Sequence, residues 1–195
     1  YSPGNASMNI AINNSTVNTN LNADMVDGYH ASDLQGWKRV STIELGVDAQ
    51  SIDFTGLNGD SDLIYMIIYR ILGGATGHSL KLRLNNDSAA NYSDNYFYGL
   101  TAITGLVDNA AVGGYLTSGT SLKTHGKIII NAKSGYIRTM LTESGGVNSS
   151  NDIAESGFSR VIWKNTTGNV TSINIVASAA NMILTGSRAE LWARR

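Results

Sequence analysis

Leu80, Leu82 and Leu84 alternate with Lys81, Arg83 and Asn85, so a period of two puts three leucines on one face of a strand and polar groups on the other. This pattern predicts a half-buried antiparallel strand. Residues 62–72 read differently. Leu63, Tyr65, Ile67, Tyr69 and Ile71 fall on one face and Ile64, Met66, Ile68 and Leu72 on the other. Such a strand calls for cover on both sides, and a neighbouring subunit is one source of it. Ile128-Ile129-Ile130 also offers apolar groups to both faces, and Lys133-Ser134-Gly135 supplies a turn into Tyr136-Ile137-Arg138-Thr139-Met140-Leu141, a β-hairpin pattern. Asn58-Gly59, which tolerates positive φ at little cost, separates Ser51-Ile52-Asp53-Phe54 from the long 62–72 run.

From Trp37 onwards such runs alternate with Gly/Asn/Ser/Asp clusters, the pattern of an all-β sandwich or barrel, of which an antiparallel β-sandwich is the fold expected here. Strands are expected near 37–45, 51–54, 62–72, 79–85, 95–103, 123–133, 135–142, 157–164, 170–176 and 186–194. The last of these runs to the chain end, where pairing with the first strand would close the sandwich. Helical signals are confined to a turn capped by Ser32 around Asp33-Leu34-Gln35 and a stretch within 176–183.

Residues 1–21 carry few large apolar side chains, and Asn9, Asn13, Asn14, Asn18 and Asn20 make the segment polar on almost every face. A segment of this kind borrows order from partners. With 195 residues the chain has room for one domain of the common size, roughly 100–150 residues, plus an extension. The division expected is an extended N-terminal anchor and junction, residues 1–36, and a β-sandwich head, residues 37–195.

Charge changes the picture by exclusion. Fourteen Lys+Arg against 15 Asp+Glu leave a net charge of −1, which removes the usual electrostatic reason to expect nucleic acid or an anionic membrane as partner. The run Leu63 to Leu72 is far shorter than the roughly 20 apolar residues of a membrane span. No cysteine is present, which excludes disulfides, thiolate metal sites and Cys nucleophiles. The polar character comes mainly from amides and hydroxyls, a composition suited to a capsid or fibre surface.

Between leader and head lies Asn22-Ala23-Asp24-Met25-Val26-Asp27-Gly28-Tyr29-His30-Ala31-Ser32-Asp33-Leu34. It closely resembles the "NAD-x-LDG-x-HAS" element of bacteriophage tail fibres and other fibre-like virion proteins, with Met25-Val26 where that family usually has a Thr-Leu or similar pair. Leu84-Asn85-Asn86-Asp87-Ser88-Ala89-Ala90-Asn91-Tyr92 and the closing Gly186-Ser187-Arg188-Ala189-Glu190-Leu191 are similar to elements of jelly-roll domains in phage particle proteins. The resemblance implies a jelly-roll sandwich, a homotrimer, and a place on the virion, assembled in the bacterial host cytoplasm. Three copies of Met25, Val26, Asp27, Gly28, Tyr29, His30 and Leu34 would form an oligomer junction at the shaft base. A monomeric linker lying across its own sandwich is the other reading.

Candidate chemistry is sparse. Tyr92, Tyr96, Phe97 and Tyr98, set among Asn91, Ser93, Asp94 and Asn95, offer the aromatic faces and amides that a glycan site requires, although ordinary core packing explains most of the same rings. Asp60-Ser61-Asp62 beside Asn58 groups oxygen donors as calcium sites do, but lacks EF-hand spacing and reads equally as a polar turn. His30, His78 and His125 form no local ligand pair, so no metal or cofactor is expected. Glu143, Asp152, Glu155 and Glu190 show no spacing of a catalytic carboxylate pair, and Gly73-Gly74 and Gly145-Gly146 read as hinges in surface loops. The expectation is a non-enzymatic virion protein, a tail-fibre or spike-like component whose sandwich faces outward for host-surface recognition. A capsid decoration or head-fibre protein is the alternative, with a polysaccharide-degrading tailspike behind it.

Overall fold

The structure, a computed structural model, describes residues 25–26, 29–30, 36–75, 78–98, 103–110, 113–119, 123–148, 150 and 152–195. The chain divides into two units, Tyr1–Gly36 and Trp37–Arg195. In the first, β1 (Met25–Val26) pairs antiparallel with β2 (Tyr29–His30), Met25 opposite His30 and Val26 opposite Tyr29. The residues of the Ser32-capped turn, together with Asp27, Gly28 and Leu34, lie outside the described residues.

The second unit is built from β3 (Lys38–Glu44), β4 (Ser51–Thr55), α1 (Gly59–Asp62), β5 (Ile64–Leu72), β6 (His78–Leu84), β7 (Tyr92–Tyr98), β8 (Ile103–Ala110) and β9 (Gly113–Gly119). It continues with β10 (Lys123–Asn131), β11 (Arg138–Val147), β12 (Ile153–Trp163), β13 (Ser172–Ala177) and β14 (Arg188–Arg194). They form an eight-stranded sheet, ordered β3-β14-β5-β10-β11-β12-β7-β8, and a four-stranded sheet, ordered β4-β13-β6-β9. Chain neighbours β3 and β4, β5 and β6, β9 and β10, and β13 and β14 thus sit in opposite sheets. That interleaving of β3-β14-β5-β10 with β4-β13-β6-β9 is the strand order of a jelly roll. Two insertions, β7-β8 and β11-β12, widen only the first sheet.

The core follows from the alternation. Leu80, Leu82 and Leu84 on β6, Ile173 and Ile175 on β13, and Ile52 and Phe54 on β4 turn inward and are almost completely buried. They meet Tyr65, Ile67, Tyr69 and Ile71 of β5, Ile128 and Ile130 of β10, and Ala189 and Leu191 of β14. β14 pairs with β3 as well as β5, so the last strand does lie against the first of the domain.

Several local expectations are corrected. Residues 103–119, expected to be mostly loop, contain β8 and β9, whose Gly/Thr-rich stretches carry no clear period of two. Within 176–183 there is no helix; β13 ends at Ala177 and the chain then turns through Asn181 at φ 57°. Asn58 does not adopt positive φ but sits at φ −135°, and its side chain accepts from Ser61 N–H to cap α1. Gly59 is required by close approach, since a Cβ there would lie 2.8 Å from the Ala132 carbonyl oxygen and 2.9 Å from its Cβ. Neither glycine pair is a hinge in a surface loop: Gly73 and Gly74 are buried, and Gly145-Gly146 lies inside β11.

Candidate binding surface at the loop end of the sandwich

Four connections, residues 56–63, 85–91, 132–137 and 164–171, converge at one end of the sandwich and are tied together by side-chain amides. Asn85 is the central tie. Its Oδ1 accepts from Thr171 N–H at 2.7 Å and Ser172 N–H at 3.1 Å, while its Nδ2 donates to the Asn169 carbonyl at 2.7 Å. Asn85 and Asn86 both hold φ near +50° (53° and 54°), the left-handed pair of a tight turn closed by Asp87 N–H to the Leu84 carbonyl. Asn169 in turn accepts from Asp60 N–H and donates to Asn58, and Asp60 accepts from Ser134 N–H at 2.7 Å. The Ser134 side chain first and this backbone bond second, ahead of the charges on Arg138 and Lys133, lower the Asp60 carboxyl below its usual range.

Beneath these loops stands a buried column. Arg138, 0 % exposed, lies over the Trp163 ring at 5.4 Å, and donates to the Ala132 and Asn165 carbonyls. Burial pulls its pKa down, partly offset by Asp60. The Trp163 indole N–H donates to Asp87 at 2.7 Å, and Asp87 also accepts from Asn91 and from Ala89 N–H. Burial raises the Asp87 carboxyl, but these donors outweigh it and the net shift is downward. Loop positions are thereby fixed from below as well as from the side.

At the edge of this end an open hollow of about 510 Å3 is lined by Leu63, Ile64, Asn131, Lys133, Tyr136 and Ile137. Tyr136 and Ile137 are 65 % and 64 % exposed, the largest values after Val47 among the exposed large apolar side chains of the described residues. Leu63 holds the unusual pair φ 58°, ψ −52°, and its carbonyl accepts from Ala132 N–H at 2.8 Å. A non-glycine residue held in this way is strained. The arrangement is an apolar floor with one aromatic ring, an amide and an ammonium group, a mixture able to hold the apolar face of a ligand and orient its polar edge.

The tyrosine cluster is dispersed rather than gathered. Tyr92 is 0 % exposed, its hydroxyl accepts from Leu84 N–H at 2.9 Å and burial raises its pKa, so it is a core ring and not a receptor contact. Tyr96 lies half-buried on the inner side of β7, and Phe97 is 46 % exposed on the opposite face, tilted 54° against Phe158 at 6.3 Å. Tyr98 belongs to β7, where it pairs with Gly157. Asp60 and Asp62 belong to the capped turn α1, where Asp62 accepts from Tyr65 and approaches Arg195. Among the described residues no three His, Cys, Asp or Glu side chains group as metal ligands do. Glu143 pairs with Lys127 at 3.0 Å and Glu190 with Arg188 at 2.7 Å, while Asp152 is exposed.

Tyr136, Ile137, Asn131 and Lys133 escaped the sequence reading because Tyr136-Ile137 looked like the start of a strand that begins only at Arg138. The available signal was two large apolar residues placed directly after the Lys-Ser-Gly turn, the second of them, Ile137, out of phase with the inward Arg138 and Met140. No protein-family model, curated protein or solved structure matches the chain. No helix among the described residues is long and apolar enough to cross a membrane.

Proposed function

We propose that this chain is a structural component of a bacteriophage virion, a fibre- or spike-like protein whose jelly-roll head faces outward to recognise the host surface. The observation that carries this reading is the position of the fibre-like motif at residues 22–33, immediately ahead of a domain with jelly-roll strand order. Jelly rolls recur in viral capsid and lectin domains, where loops at one end of a rigid sandwich present the binding surface. The amide-tied loop end with its exposed Tyr136 and Ile137 supplies such a surface here. In this reading residues 1–36 join the chain to other virion proteins, and Met25, Val26, Tyr29, His30 and Leu34 pack the copies together, three in the arrangement that the resemblance implies.

The purified chain is expected to compete with intact particles for adsorption to host cells. Replacing Tyr136 and Ile137 together by serine should raise the concentration needed for half-competition by about tenfold or more, the usual consequence of removing central aromatic and aliphatic anchors. Binding to tail-less capsids with no effect on adsorption would instead favour a decoration protein. Competition unaffected by the double replacement would remove the loop end as the contact.

A further inference from the structure

Of nine large apolar side chains left exposed among the described residues, five, Ile68, Phe97, Leu141, Phe158 and Ile162, lie on the outer face of the eight-stranded sheet. Trp192, Met66, Ile129 and Ile64 stand beside them, half-buried. On the outer face of β4, β13 and β6 stand Ser51, Asp53 and Thr55, then Ser172, Asn174 and Val176, then Ser79, Lys81 and Arg83, polar but for the half-buried Val176. These three strands are finished for water, whereas the eight-stranded sheet is not. A contiguous apolar band of this kind marks an interaction surface.

The register shows what fits it. Across β5, β10, β11 and β12 one row reads Ile68, Lys127, Glu143, Phe158. The next reads Met66, Ile129, Leu141, Arg160, and the third Ile64, Asn131, Thr139, Ile162, with Asn131 donating to Thr139 at 2.7 Å. Turned about a line between β10 and β11, the first row lays each base on an acid and each apolar end on an apolar end. The third lays Ile64 on Ile162 and amide on hydroxyl, and the second lays Ile129 on Leu141 and Met66 on the Arg160 stem. No charge in these rows meets its like. A surface complementary to its own reversed copy is what a twofold interface requires.

We propose that a second copy of this chain docks face to face on the outer side of the eight-stranded sheet, about a twofold axis running along the strands between β10 and β11. Antiparallel sheets packed in this way align within about 30° of each other. The six strands from β14 to β7, which the axis places three on each side, are roughly 29 Å wide, and three rows span roughly 20 Å, so a pair buries on the order of 1,200 Å2, the lower end of the range for stable interfaces. The pairing is independent of the virion reading and of the junction. Heads set round a threefold junction would use this face to meet heads of another trimer.

The test is the solution mass of the full chain by light scattering, with Lys127→Glu, Glu143→Lys, the double exchange and an equimolar mixture of the two single variants. The Lys127 and Glu143 side chains are 42 % and 61 % exposed, so each variant should fold, with the circular-dichroism spectrum of the unaltered chain and a cooperative thermal transition. The unaltered chain should be an even multiple of 20.8 kDa. Each single reversal brings four like charges to the centre and should halve the mass, while the double exchange and the mixture should restore it. An odd multiple for the unaltered chain, or single reversals that leave the mass unchanged, would overturn the proposal.

Discussion

Leu82→Ala is expected to lower the unfolding free energy by roughly 2–5 kcal/mol, whereas Lys81→Ala, one residue away, should change it by less than about 0.5 kcal/mol. Leu82 is 0 % exposed and sits in the middle of β6, opposite Ile175 of β13 and Gly113 of β9, with Leu80 and Leu84 on either side. It lies on the inner face of the narrow sheet, where Tyr92, Met140 and Val161 of the wide sheet close in around Gly113. A hole left there cannot be filled by small movements, because three strands and the facing sheet fix its walls. Lys81, on the outer face of the same strand, loses only a solvated chain. Urea unfolding of both variants measures the difference, and equal losses would mean that the faces of β6 are assigned the wrong way round.

Trp163→Ala should cost about 3–5 kcal/mol, with part of the loss depending on pH. The ring is 1 % exposed, covers the buried Arg138 guanidinium and donates to Asp87, so its removal opens a cavity, uncovers a charge and takes a donor from a carboxylate. Because the folded-state pKa of Asp87 is lowered, its contribution is present above the unfolded carboxyl value and is lost as pH falls through the folded one. The gap between Trp163→Ala and the unaltered chain should therefore be widest near neutrality and narrow below about pH 4. Trp163→Phe keeps most of the ring but not the N–H, and should show the pH-dependent part with little of the rest. A loss that stays constant with pH would mean that the Asp87 bond contributes nothing.

The sandwich was legible because its core is written in local alternation. Leu80, Leu82 and Leu84 needed only a period of two, and Gly186 to Arg194 reads as a strand without reference to its partners. β8 and β9 were not legible, since Gly113 is held by contact with Val161 and Tyr92, residues distant in sequence, rather than by any pattern of its own. The double-faced character of 62–72 was visible, but cover for the second face was only inferred. Within the chain Ile68 stays 46 % exposed, and only the register across β10, β11 and β12 shows why a reversed copy suits it. Tyr92 and Phe97 were grouped by adjacency along the chain, although an odd separation in a strand sends two side chains to opposite faces. At the loop end, Asn58, Asn85 and Asn169 look like ordinary turn residues, and their mutual bonds join positions that no local reading connects.

Under the proposed virion reading, particles purified from lysates in which this chain is produced give the most direct test of that proposal. The measurement is the number of copies per particle, together with labelling of intact particles by antibodies raised against residues 37–195. A fixed copy number with the head labelled on the particle surface is the result expected of an outward-facing fibre or spike. A chain abundant in the lysate but absent from purified particles would contradict the virion assignment.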